Sequence, residues 1–223
     1  MSIIADTAII AAHGAFDKRA GGGYNGGNGL GSVKDMQRLP EGLKEKLCAW
    51  YDAGHRDLPW RQDREPYHVW LSEIMLQHTR VEAVKGYYAR FLTELPTIAA
   101  LADCPPDRLT KLWEGLGYYS RVRNLQKAAK IIMEESGGVF PKTYDAVRAL
   151  PGIGDYTAGA ICSICFELPT PAVDGNVLRV LSRVMEDGAS ITAQKTKNAC
   201  REALVPVYEN GPRGTLTQAL MEL

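Results

Sequence analysis

Residues 150–166 read LPGIGDYTAGAICSICF. Pro151 stops one helical segment, Gly152 and Gly154 permit a tight turn without side-chain crowding, and a second helix starts at once with its first N–H groups free. Such a turn offers backbone donors and the positive end of a helix to a phosphate, a grip on DNA that carries no sequence information. Asp155 is placed to cap the second helix, but its carboxylate would repel a phosphate if it faced the same mouth, so its direction matters. An ordinary connection between two helices could be built from the same residues.

The texture on both sides of this turn is helical. Leu43, Leu47, Trp50 and Tyr51 recur at helical spacing until Pro59 breaks the pattern. Further helices are predicted near 66–78, 80–93, 97–102, 106–113, 120–135, 143–149, 155–166, 173–185, 192–208 and 215–223. No segment alternates convincingly with period two, and the connectors, GGVFPKT and EDGAS among them, are short and turn-rich. The fold class is therefore all-α. AGGGYNGGNGLGS within the first 38 residues carries a large backbone-entropy cost with little side-chain burial to offset it, so 1–38 is expected to be a flexible extension.

Hydrophobic residues at 45% and charged residues at 23% exclude a mostly disordered or fibrous chain. Lys+Arg 26 against Asp+Glu 26 gives no net charge, yet nucleic acid is not excluded, because phosphate contacts depend on where the cations cluster. Arg108, Lys111, Arg121, Arg123, Lys127 and Lys130 accumulate against Glu114 alone. Within them GLGYYSRVRN sets Tyr118, Tyr119, Arg121, Arg123 and Asn124 at a helix start, where an aromatic wedge could enter a base stack and the arginines could hold the backbone. Tyrosines packed in the core and arginines solvating a helix would read the same way. The five cysteines form no disulfide framework, and no apolar run approaches the ~20 residues of a bilayer span, so a reducing intracellular setting and no membrane are expected.

Two acids complete the set of candidates. Glu73 lies in VWLSEIMLQHT, on a predicted helix that also carries Trp70, Ile74 and Gln77. A carboxyl desolvated by such neighbours binds its proton more tightly, as a general acid requires. Asp174 follows PAV and precedes Gly175, a helix-start position where backbone N–H groups favour an anion. A protonated acid and an anion together suit glycosidic chemistry. A surface acid and a plain helix cap are the bland alternatives.

LPWR at 58–61, YHVWLSEIMLQHTRV at 67–81, LWEGLGYYSRVRNL at 112–125, LPGIGDYTAGAI at 150–161 and VDGNVLRVLSR at 173–183 follow one another in an order that resembles the adenine DNA glycosylases, the MutY family of helix–hairpin–helix DNA glycosylases. The resemblance runs from about Leu58 to the chain end. It implies two helical lobes with a DNA-binding cleft between them: a six-helix lobe with the hairpin over 61–168, and a second lobe assembled from 39–60 and 169–223. It also implies removal of adenine paired with 8-oxoguanine or guanine in base excision repair. Glu73 would protonate adenine N7 and then direct a water. Asp174 would stabilise the oxocarbenium-like sugar, by way of a transient covalent stage. Tyr156 and Asn176 would support the site by hydrogen bonding, and Arg61 would lie near the flipped adenine. Leu76, Gln77, His78 and Thr79, with Tyr118 on a separate loop, would meet the duplex at the lesion. Arg121, Arg123, Gly152 and Gly154 would hold its backbone. Most relatives carry glutamine where His78 stands, so opposite-base recognition could differ here or gain pH dependence.

Endonuclease III relatives place an imine-forming lysine where this chain has Tyr156, so a monofunctional enzyme leaving an abasic site is expected. The family's [4Fe–4S] cluster is held by four cysteines just beyond the helix written here as TQALMEL, where this sequence stops. No cofactor or metal is therefore expected on the residues present; a cluster and an 8-oxoguanine-reading domain belong to a longer chain. Cys162, Cys165 and Cys200 read as buried thiols. A monomer is expected, in the cytoplasm or nucleoid, or in a nucleus or mitochondrion if eukaryotic. Another mismatch glycosylase, or a DNA-binding fragment without catalysis, are the competing readings.

Overall fold

A computed structural model describes residues 39–185, 188 and 190–223. The glycine-rich segment 1–38 and part of the EDGAS connector lie outside them. Among the described residues the regular structure is helical throughout: α1 (Leu43–Gly54), a 3₁₀ turn (Pro59–Arg61), α2 (Pro66–Leu76), α3 (Val81–Glu94), α4 (Ile98–Asp103), α5 (Pro106–Leu112), α6 (Ser120–Ser136), α7 (Tyr144–Arg148), α8 (Asp155–Phe166), α9 (Gly175–Val184), α10 (Gln194–Tyr208) and α11 (Arg213–Glu222).

Local chemistry sets most of these boundaries. Pro66 and Pro106 occupy first helical positions, where a missing N–H costs nothing. Thr97 and Thr143 cap α4 and α7, their hydroxyl oxygens accepting from the N–H groups of Ala100 and Ala146. α6 stops at left-handed Gly137, whose N–H donates to the Met133 carbonyl while that of Gly138 donates to Ile132. α2 is shorter than its apolar pattern predicts: Gln77 leaves the helical region at ψ 114° and His78 turns left-handed at φ 60°.

The buried apolar residues form two clusters. The larger is centred on Trp70, Met75, Phe91, Trp113 and Ile161. The smaller gathers Leu47 and Tyr51 of α1 with Leu181, Leu204, Tyr208 and Leu216 from the C-terminal helices. Leu58 and Trp60 pack into the larger cluster, so the segment 39–60 is divided between the two.

α8 is the brace that brings the site together, since it packs against α2, α7 and α11. At Gly159 a Cβ would stand 2.8 Å from the Pro171 carbonyl oxygen, so only glycine lets the returning 168–174 segment cross this closely. On the other side, Ser163 and Thr217 hydroxyls meet at 2.7 Å and Tyr208 reaches Thr217 at 2.8 Å, which satisfies these buried polar groups as α11 docks. Glu167, at the left-handed end of α8, accepts from the Arg213 N–H at 2.6 Å and pairs with Arg64.

Candidate active site

The crossing at Gly159 carries the chain to Asp174, one turn of α8 away from Tyr156. Both line a cavity of about 370 Å³ whose wall also includes Glu73, Leu76, Gln77 and Thr79. Asn176, Arg80, Val81 and Met221 complete it. α2, the loop after it, α8, the start of α9 and α11 thus converge on one space. Acids 101 positions apart in sequence share it.

Glu73 is 7% exposed. Burial pushes its carboxyl up to about 7; a hydrogen-bonding interaction with Tyr156 offsets part of that rise, the Asp174 charge adds to it, and Arg61 opposes it. Near neutrality such a group can both give and take a proton. Burial and the two carboxyls hold the Tyr156 phenol well above its usual range, so its hydroxyl stays a donor. It also reaches the Met221 sulfur at 3.8 Å. Asp174 caps α9: one carboxylate oxygen accepts from the Val177 N–H at 2.7 Å, the other from the Asn176 amide at 3.3 Å. Asn176 therefore reaches the acid across the helix's first turn.

Two arginines stand elsewhere than the sequence suggests. Arg61 does not line the cavity. It pairs with Glu222 at 2.8 Å and lies over the Tyr51 ring, while Arg56 holds the same carboxylate at 2.7 Å. Glu222 thus draws Arg61 toward α11. Arg121 is not on the surface to grip a phosphate; it is 8% exposed. Its guanidinium is taken up by backbone carbonyls that the helix end and a neighbouring loop leave unpaired. Arg123 is exposed, and with Lys127 and Lys130 it forms a stripe at helical spacing on α6 without an ion-pair partner among the described residues. Arg108 and Lys111 are neutralised by Glu94 and Glu114.

His78 and Tyr118 project from separate loops yet meet with ring centroids 5.2 Å apart, and Tyr118 is 67% exposed. Both have positive φ. At the hairpin, Gly152 has φ 81°, and a Cβ there would meet the Asn124 Cβ at 2.8 Å, so two constraints demand glycine. Gly154 caps α8 without a side chain, and a Cβ there would meet open space. Asp155 accepts from the Arg148 Nε at 2.6 Å, and this partner holds its carboxyl below the usual range. Its charge is answered by α7.

The cysteines do not fit a cluster. Cys162 is wholly buried within α8, Cys165 lies one turn on, and among the described residues no three His, Cys, Asp or Glu side chains are grouped to hold a metal ion. No helix of the described residues is long and apolar enough to cross a membrane.

Arg80, Val81 and Met221 were not anticipated from sequence. The first two continue the MLQHT loop and could have been found by extending it; nothing in TQALMEL marks Met221 as a cavity wall.

Residues 71–206 match the family model described as HhH-GPD superfamily base excision DNA repair protein. The chain is 43% identical over 190 residues to a rat protein named adenine DNA glycosylase, covering 81% of this chain and 37% of that one. It is 41% identical to one of the same name from Buchnera aphidicola subsp. Baizongia pistaciae, covering 80% and 51%. The chain thus spans about a third to a half of these relatives' length. Among solved structures, a thermostable thymine-DNA glycosylase superimposes with TM-score 0.71 at 25% identity, covering 80% of this chain and 82% of the other. A trapped endonuclease III–DNA covalent intermediate does so with 0.65 at 19%, covering 86% and 85%, a likeness of fold alone.

Proposed function

Since the chain belongs to the HhH-GPD superfamily of base excision DNA repair proteins, we propose that it is a monofunctional adenine DNA glycosylase acting on adenine mispaired with 8-oxoguanine or guanine in double-stranded DNA. The observation that carries this is the buried, protonatable Glu73 sharing a base-sized cavity with the helix-capping Asp174. Adenine, rather than another mispaired base, is favoured by relatives of that name from animals, bacteria and a plant.

Duplex stacking shields the reacting atoms, so the adenosine must leave the helix before the chemistry. Glu73, neutral, gives its proton to N7. The bond from N9 to C1′ then breaks with its electron pair going to the base, and positive charge develops on the sugar. Asp174 faces that charge as an anion. Water adds at C1′ and its proton passes to the Glu73 carboxylate, which restores the acid. Tyr156 influences Glu73 from close by and has no amine to form an imine with the sugar, so the product is an abasic site in an unbroken strand. The hairpin at Gly152 and Gly154, with the Arg123 stripe, is suited to hold phosphates, and His78 with Tyr118 to fill the space the base leaves. The chain would act as a monomer wherever the chromosome is housed.

Single-turnover incubation with a duplex containing one A:8-oxoguanine pair, followed by separate alkali treatment, tests the proposal. Free adenine with strand breakage only after alkali is expected. Breakage without alkali would overturn the monofunctional assignment; duplex binding without adenine release at excess protein would overturn the enzymatic one.

A further inference from the structure

Arg121 makes an unusual set of contacts for a residue in the first turn of a helix. Its Nη1 donates to the carbonyls of Ile74, Met75 and Gln77 at 2.9, 3.2 and 2.5 Å, and its Nη2 to those of Leu116 and Gly117 at 2.8 and 3.2 Å. The first three stand at the end of α2, where Ile74 and Met75 have lost their intrahelical partners, Gln77 also accepts from the Thr79 hydroxyl at 3.4 Å, and a cation is favoured by the helix dipole. The last two belong to the glycine loop ahead of α6. One planar fork therefore joins two segments about forty positions apart in sequence.

The carbonyls it holds include those of Gln77 and Gly117, each immediately before one of the two exposed rings. His78 at φ 60° and Tyr118 at φ 46° are both left-handed, a conformation that side-chain-bearing residues adopt only when their surroundings impose it. The Arg121 guanidinium also lies 5.7 Å from the Tyr118 ring centre and 5.4 Å from that of buried Trp113, whose indole N–H donates to the same Gly117 carbonyl. Without the fork, the Gln77 and Gly117 carbonyls lose the partner that ties each loop to the other.

We propose that Arg121 is the positioning residue of a two-pronged wedge: by clasping the carbonyls ahead of His78 and Tyr118 it fixes both rings side by side, so that they enter a base stack as one unit and drive the target nucleotide out. It touches neither base nor phosphate. The inference rests on the reading that this chain extrudes a nucleotide from duplex DNA, and it adds that the extrusion step is set from a buried arginine.

The test is Arg121→Lys, which keeps the charge and loses the planar fork. Unstacking is followed by the fluorescence of 2-aminopurine beside the target adenine, and adenine release is timed under single-turnover conditions from that duplex and from a strand in which the adenine is unpaired. Unstacking and release from the paired adenine are expected to fall about 10- to 100-fold, as for a misplaced binding element, with release from the unpaired adenine within about threefold of wild type. In a background lacking both prongs, His78→Gly with Tyr118→Ala, Arg121→Lys should cost nothing further in unstacking. Equal losses on paired and unpaired substrates, or an additive loss in that background, would overturn the proposal. Tyr118→Ala alone removes an exposed ring and no buried hydrogen bond, so it should give the same paired-versus-unpaired split; absence of that split overturns the proposal even if Arg121→Lys folds poorly. A wild type that unstacks the duplex but releases no adenine would sink the adenine reading, while the unstacking comparison still decides this one.

Discussion

Replacing Glu73 with glutamine should make the protein more stable, and only above a certain pH. The folded carboxyl titrates at about 7 against an ordinary 4.5 because burial disfavours its charge. Below pH 4.5 the group is neutral whether the chain is folded or not, and its burial costs little. Between the two values the unfolded chain sheds the proton while the folded one retains it, so stability declines as pH rises, and above 7 the folded state carries a buried anion. A gap of about 2.5 units at about 1.36 kcal/mol each gives ~3 kcal/mol lost by pH 8. Glu73→Gln has the shape without the titration. Its melting temperature should match wild type near pH 5, give or take a constant offset from the changed hydrogen bonding, and exceed it by ~6–12 °C more at pH 8, taking about 2–4 °C per kcal/mol for a chain of this size. Thermal unfolding of both proteins by circular dichroism at pH 5 and 8 measures the difference of differences, from which titrating groups that do not interact with Glu73 cancel. A melting-temperature gap that is the same at both pH values would show that Glu73 is not held protonated by burial. Adenine release should be lost in the same variant, so that stability and chemistry move in opposite directions.

Single-turnover adenine release by the wild type should fall about fivefold between pH 7 and 8, because the working form of Glu73 is its acid. Tyr156→Phe removes the hydroxyl whose influence favours the charged carboxylate, so the alkaline limb of the profile should move to higher pH; a limb that stays in place or moves down refutes the coupling. Gly152→Ala forces a side chain into left-handed backbone and against Asn124, at a cost of about 1–2 kcal/mol from the backbone alone. Duplex binding, titrated on matched and mismatched DNA, should weaken alike on both, and a loss confined to the mismatch would count against the hairpin as a sequence-independent grip.

Helical periodicity and proline and glycine punctuation made most helices legible, because they act within a few residues of one another. Glu73 was legible for the same reason: its apolar neighbours share its helix. Arg121 was not. Its position in a basic stretch reads as surface, and its burial is decided by the carbonyls of Ile74, Met75, Gln77, Leu116 and Gly117, which no local pattern marks as its acceptors. The pairing of Arg61 was not legible either, since its partner Glu222 stands on α11. Asp155 posed a question that only direction could answer, and Arg148 answers it. Contacts along one helix are written in its sequence; contacts that complete a helix end from another segment are not.

The pairing of α1 with α11 has a bearing on how the chain is made. Leu47 and Tyr51 emerge from the ribosome some 170 residues before the helix they pack against, as the bounds of α1 and α11 require. At ~5–20 residues per second, the greasy face of α1 waits on the order of ten to thirty seconds for its cover, while the larger core can collapse around it in the meantime. During that interval α1 is the segment most exposed to chaperones and to mispairing with other nascent chains. Slow translation between α9 and α11 should therefore raise aggregation more than an equal delay within the larger core.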